Sequence, residues 1–172
     1  MSNAANLSQE QSQSLRERTG GFSDNEEKII QSLKQLYSCK PVSTTYDVYD
    51  EKATFRDPIG IAEGRASIKS QFDALASMCA KGDLPKFRVL ENPSTVPKST
   101  LLVDQDVGYH FKEDGPASIT VNSLVTVETN EAGKITKHVE EWDHKADSTG
   151  AFSEARRKIT AKLVEMVKPR ET

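Results

Sequence analysis

The sequence predicts an α+β domain, with N-terminal helices packed against a mostly antiparallel sheet and a further helix at the C-terminal end. Three observations predict it. Segments with helical spacing of apolar residues, each with start and stop signals, occupy the chain from Ser23 to Ala80. Four β-rich runs separated by turn residues fill the stretch from Lys86 to His144. Between them, Ala53-Thr54-Phe55-Arg56-Asp57-Pro58-Ile59-Gly60 sets a carboxylate at the end of a short apolar strand, directly before a helix. That arrangement presents an acid to a cavity rather than to bulk water.

Residues 1–22 are rich in Ser, Gln, Asn and Glu and include Gly20-Gly21, a composition that predicts a disordered polar tail. Order is expected from Ser23, where Ser23-Asp24-Asn25-Glu26 reads as a capping box. Ile29, Ile30, Leu33, Leu36 and Tyr37 then form one helical face, and Pro41 bars continuation. A second short helix is expected from Ser43 to about Asp50, with Tyr46 and Tyr49 on a shared face. The strand Ala53–Phe55 follows. A third helix, about Ala66 to Ala80, stacks Ile68, Phe72, Leu75, Ala76 and Cys79 on one side, and Gly82 marks its end.

Strands are expected over Lys86–Leu90, Leu101–Phe111, Ser118–Thr129 and Ile135–His144. Asn92-Pro93, Glu113-Asp114-Gly115-Pro116 and Asn130-Glu131-Ala132-Gly133 supply the turns. Residues 147–172 read as an amphipathic extension, with Phe152, Ala155, Ile159, Leu163 and Met166 at helical spacing among Arg156, Arg157, Lys158 and Lys162.

The chain of 172 residues suggests one domain, residues 23–146, long enough to bury a core without disulfides or metal. Its two cysteines, Cys39 and Cys79, form no metal or redox motif and read as reduced thiols of an intracellular, cytoplasmic protein. No apolar run is long enough for a membrane span. With 23 basic and 26 acidic residues, the net charge of −3 argues against a nucleic-acid partner. His138 and His144 stand roughly 20 Å apart on an extended strand and cannot share an ion. The chain also lacks HExxH, P-loop, GxGxxG and GxSxG motifs, so neither a metal nor a nucleotide cofactor is expected.

Taken in order, Phe55-Arg56-Asp57-Pro58, the helix entry Gly64 to Ile68, and the closing Gly133-Lys134-Ile135 through His138 to Trp142-Asp143 resemble the NTF2-like superfamily, and within it the SnoaL-like group. The resemblance covers residues 24–145. It implies a cone, in which a strongly curved, mostly antiparallel sheet wraps the helices around an apolar pocket, and a homodimer formed through the sheet. Members include ketosteroid isomerases, polyketide cyclases, epoxide hydrolases and dehydratases, so the fold leaves the function open.

Asp57 falls on the catalytic aspartate of the ketosteroid isomerase segment, which implies a general base beside a carbonyl. The local alternative is that Asp57-Pro58 caps the connection between strand and helix. The isomerase also uses a tyrosine and a protonated acid as an oxyanion hole. Counted along this sequence, the acid's position falls on Val125 and the tyrosine's near Leu33, one turn before Tyr37.

Strand alternation puts Thr136, His138, Glu140, Trp142 and His144 on one face, with Glu141 and Asp143 taking their place if a bulge shifts the register. Glu140 resembles the base of SnoaL-like cyclases, and His138 lies about 7 Å from it along the strand. His138 and Glu140 on a solvated or dimer-forming face are the alternative. Tyr46, Tyr49, Phe55, Tyr109 or His110, and Trp142 are expected to wall a pocket for a small hydrophobic ligand, or to be plain core. The functional expectation is a cofactor-independent isomerase, cyclase or dehydratase. The rival is a non-catalytic binding or dimerisation module, which the absent acid at Val125 favours.

Overall fold

The computed structural model describes residues 2–146 and 153–167. Four α-helices accompany one six-stranded sheet among these residues. The helices are α1 (Gln9–Gln13), α2 (Asp24–Tyr37), α3 (Arg65–Met78) and α4 (Ser153–Val167). The strands are β1 (Tyr49–Arg56), β2 (Ile61–Glu63), β3 (Lys81–Val89), β4 (Thr100–His110), β5 (Ile119–Thr129) and β6 (Ile135–Trp142), in the order β2-β1-β6-β5-β4-β3. Every neighbouring pair is antiparallel except β1 with β6, so the sheet is mixed.

The capping box starts α2 as its residues require. Ser23 Oγ accepts from the Glu26 amide at 3.1 Å, and Glu26 Oε1 accepts from the Ser23 amide at 3.0 Å. Asp24, Glu26 and Glu27 favour the positive end of the helix dipole. Ile29, Leu33, Leu36 and Tyr37 are buried. Cys39 then turns the chain through a left-handed conformation (φ 59°) ahead of Pro41.

The expected second helix is only a 3₁₀ turn, Thr45–Val48, and β1 begins at Tyr49. β3 begins five residues before the expected Lys86 and contains Pro85. That is tolerated because β3 is a sheet edge and its register shifts between Asp83 and Lys86. Gly82 belongs to this strand rather than ending α3. A Cβ there would lie 2.9 Å from Tyr37 O and Ser38 C, so glycine is what lets β3 press against the end of α2.

Leu101, Val103, Val107 and Tyr109 of β4 face the main core together with Val125 and Val127 of β5. Leu102 and Leu124 face the other way and form a second cluster with Ala5, Leu7, Leu90 and Val96. The first residues are therefore not a disordered tail. Asn3 Nδ2 donates to the His144 carbonyl at 3.2 Å, the Ala4 amide donates to Glu141 Oε1 at 2.7 Å, and Gln9 Nε2 donates to the Asp143 carbonyl at 2.9 Å. Residues 16–18 hydrogen-bond to 89 and 91, extending past the end of β3.

Composition misled here because this segment has no core of its own and borrows one from the sheet. The outer face, where the resemblance implies pairing of two copies, carries the chain's own N-terminal arm over Leu102 and Leu124.

β6 ends at Trp142, and Asp143 and His144 both take positive φ (54° and 61°). This reversal sends His144 away from the face of Glu140 and Trp142, correcting the expected alternation. Its Nδ1 meets Ser12 Oγ and its Nε2 meets Asp104 Oδ1, each at 2.9 Å. Burial alone would raise the pKa of Asp104, but hydrogen bonds from His144, Asn122 and Lys86 outweigh it and hold the carboxylate below its usual range. The expectation for Phe152 lies outside the described residues, as do those for the side chains of Ala155 and Met166. Among the described residues, no helix is long and apolar enough to cross a membrane.

Candidate functional site

A cavity opens between the concave face of the sheet and α2, α3 and α4. Tyr37, Phe55, Phe72, Tyr109 and Trp142 wall it, Ile159 and Leu163 of α4 complete the apolar lining, and Asp57 and Glu140 both border it. Its free space is about 50 Å³, room for a few water molecules.

Asp57 follows the last residue of β1, in the turn that leads to β2. Its Oδ1 accepts from the amides of Ile59 and Gly60, each at 2.9 Å. Asp57 thus caps the turn between β1 and β2, not a direct connection from strand to helix, because β2 stands before α3. The same two bonds lock the carboxylate in place beside the cavity, so capping and presentation are one arrangement.

Glu140 sits mid-strand on β6 and is 4% exposed. Burial raises its pKa to about 8, the nearby charge of Asp57 pushes the same way, and hydrogen bonds from Ser123, Trp142 and Tyr37 only partly offset them. The Trp142 indole N–H donates to Glu140 Oε2 at 3.3 Å. At neutral pH this group is mostly a carboxylic acid, able to donate a proton or a hydrogen bond, and it shares a low-dielectric cavity with an anchored aspartate.

His138 is not at the cavity surface. It is wholly buried one layer behind, with Phe55 edge-on at 4.7 Å and Phe72 stacked at 6.1 Å between ring centroids. Its two nitrogens meet two tyrosines, Tyr37 Oη at Nε2 (2.9 Å) and Tyr49 Oη at Nδ1 (2.8 Å). Burial lowers its pKa to about 3, so the imidazole is neutral.

Tyr49 therefore backs the site rather than lining it. Tyr46 lies elsewhere, because its hydroxyl donates to Asp73 Oδ1 at 2.8 Å and Lys69 stands over its ring. The shared helical face expected for these tyrosines does not form, because Tyr46 lies in the 3₁₀ turn and Tyr49 opens β1. Phe55, Tyr109 and Trp142 line the cavity.

Two spatial relations were not legible in the sequence. Tyr37 reads as the last core position of the α2 stripe, yet its hydroxyl meets His138 Nε2 at 2.9 Å and the residue lines the cavity beside Glu140. Val125, where the isomerase's acid falls, is the direct cross-strand partner of Glu140. A carboxyl therefore borders the cavity from the position on β6 that faces Val125, with the Tyr37 side chain in the same lining.

No family model and no curated protein matches this sequence. Solved structures do match in shape. TerC, co-crystallised with polyporic acid, is 17% identical with a TM-score of 0.56, over 78% of this chain and 99% of that one. SalBIII, an epoxide hydrolase/cyclase-like enzyme of pyran ring formation in polyether salinomycin, is 16% identical with a TM-score of 0.53, over 69% of this chain and 89% of its own. A protein of the SnoaL-like family from Agrobacterium tumefaciens is 14% identical with a TM-score of 0.50, over 70% and 98% respectively. At these identities the likeness is one of fold.

Proposed function

We propose that this chain, whose fold is that of the SnoaL-like group of NTF2-like domains, binds a small, largely apolar carbonyl compound and moves protons on it without a cofactor. One observation carries the reading: a buried Glu140, held as the neutral acid, and an anchored Asp57 face the same aromatic-walled cavity. Groups whose environments separate their protonation states are suited to acid and base roles.

In the proposed reaction Asp57 takes a proton from the carbon beside the carbonyl. Tyr37 and Glu140 donate hydrogen bonds to the carbonyl oxygen as it gains negative charge. Return of the proton to another carbon gives isomerisation, loss of a β-hydroxyl as water gives dehydration, and attack of the carbanion within the molecule gives cyclisation. Phe55, Tyr109 and Trp142 hold the apolar body.

The test is native mass spectrometry and thermal shift against steroids, polyketides and terpenoids, with Asp57→Asn and Glu140→Gln alongside. The expected result is a retained, stabilising ligand whose carbon-bound protons exchange with deuterated water in the wild type and not in Asp57→Asn. Binding without exchange would refute the catalytic part.

A second reading, a non-catalytic binding or dimerisation module whose pocket is filled by its own side chains, is favoured by the small free volume and by Ile159 and Leu163 in the lining. Under it, no compound of the panel stabilises either the wild type or a widened Ile159→Ala variant.

A further inference from the structure

The cavity leaves one group unexplained. His138 is buried behind it, touches no ligand space, and yet occupies both of its nitrogens with tyrosine hydroxyls. Four aromatic side chains, Tyr37, Tyr49, Phe55 and Phe72, surround the ring. A neutral imidazole has one N–H and one lone pair, so of the two tyrosines one must donate to it and the other must accept from it.

Which does which follows from counting protons. Among the described residues, the Tyr49 hydroxyl has one hydrogen-bond partner, Nδ1 of His138. Tyr49 is 1% exposed, so water does not replace that partner. If Nδ1 carried the proton, Tyr49 would accept and its own O–H would be a buried donor with no acceptor. Tyr37 would then have to donate to Nε2, away from the cavity that it lines beside Glu140. With the proton on Nε2, the hydroxyl whose proton is turned away from the imidazole is Tyr37, which lines the cavity, and not Tyr49, which does not. The Tyr49 O–H goes to Nδ1, Nε2–H goes to the Tyr37 oxygen, and the Tyr37 O–H remains free for the cavity side, where Glu140 lies.

We infer that His138 is a positioning residue, held by Tyr49 as the Nε2–H tautomer, and that it turns the Tyr37 proton toward Glu140 and the oxygen of a bound carbonyl compound. The inference deepens the proposed function and rests on it for its catalytic meaning; the orientation of the proton is a property of the protein alone. Tyr37 accepts from behind and donates ahead, a preorganised donor that needs no rotation when charge develops. Removing Tyr49 from this chain leaves Nδ1 with a bare lone pair, whereas removing Tyr37 takes the donor itself away.

Two measurements on the full-length, ligand-free protein test it. Long-range proton–nitrogen NMR on uniformly labelled wild type at pH 7 should show Nε2 of His138 protonated and Nδ1 unprotonated. The opposite assignment overturns the inference. Carbon-detected titration of the Glu140 carboxyl should show its midpoint rising by roughly one pH unit in Tyr37→Phe, because the lost hydroxyl had favoured the carboxylate. An unchanged midpoint means that Tyr37 donates to His138 instead, and also overturns it. The wild-type tautomer needs no variant to fold. If His138 carries its proton on Nε2 and the midpoint moves, while no compound exchanges protons, the inference stands and the proposed reaction fails. If the tautomer is Nδ1–H while exchange is seen, the reaction stands and His138 has no positioning role.

Discussion

Replacing Glu140 by glutamine keeps the shape of the side chain and removes its proton chemistry. In the folded protein the Glu140 pKa is about 8 against an ordinary 4.5. The native state thus keeps a proton that the unfolded chain releases between those values, and stability falls as pH rises through that window. At 1.36 kcal/mol per pH unit the full penalty is about 5 kcal/mol, and Glu140 is buried enough for solvent to screen little of it.

Between pH 5 and pH 9 the wild type should therefore lose about 4 kcal/mol relative to Glu140→Gln, or about 8–16 °C in Tm for a chain of this length. Urea unfolding at pH 5, 6, 7, 8 and 9, with both proteins in one buffer series, measures it. The variant should be close to wild type at pH 5 and progressively more stable above. Parallel profiles, with a difference that varies by less than about 1 kcal/mol, would refute the reasoning, since they would mean that Glu140 ionises as easily inside the protein as outside. Asp57→Asn should narrow the gap without closing it, because burial is the first cause of the raised pKa and the charge of Asp57 the second.

His138 gives the mirror image. With a folded-state pKa of about 3 against 6.5, it costs stability as pH falls through that range, so His138→Gln should flatten the acid limb of the urea-derived stability profile below pH 6. A limb as steep as in the wild type would assign acid unfolding to other groups. Gly82→Ala should cost about 1–3 kcal/mol in urea unfolding, since its Cβ meets backbone atoms of Tyr37 and Ser38. Gly60→Ala is the control, with nothing within 4 Å of the added atom; equal effects would remove the close-approach explanation. Deleting residues 1–18 uncovers Leu90, Leu102 and Leu124, and light scattering should then report self-association; an unchanged mass would mean that this face does not pair.

The parts of this molecule that were legible in its sequence are those in which one local pattern decides. Ser23 and Glu26 close a capping box wherever a helix starts, and the period of two along β6 puts His138, Glu140 and Trp142 on one side whatever the sheet does next. The parts that were not legible depend on a partner distant in the chain. Nothing around Tyr37 says that Glu140 will stand near its hydroxyl, and nothing around Val125 says that the facing strand will bring a carboxyl there. His144 was misplaced because two successive left-handed residues are not a pattern that hydrophobic period can carry. Tyr46 was misassigned for a similar reason: Asp73 of α3 captures its hydroxyl, and that contact exists only once the helix has docked.

The N-terminal arm has a consequence for how the chain is made. It is synthesised before the sheet it covers, and Glu141, which receives the Ala4 amide, comes 137 residues later. At ordinary rates of translation the arm waits roughly 7–30 s with nowhere to dock. A strongly apolar segment would be a hazard during that interval, open to pairing with whatever neighbour came by. One dominated by serine, glutamine and asparagine, with little more than Ala5, Leu7 and Leu15 to bury, stays hydrated until β6 is in place and then closes over the finished sheet.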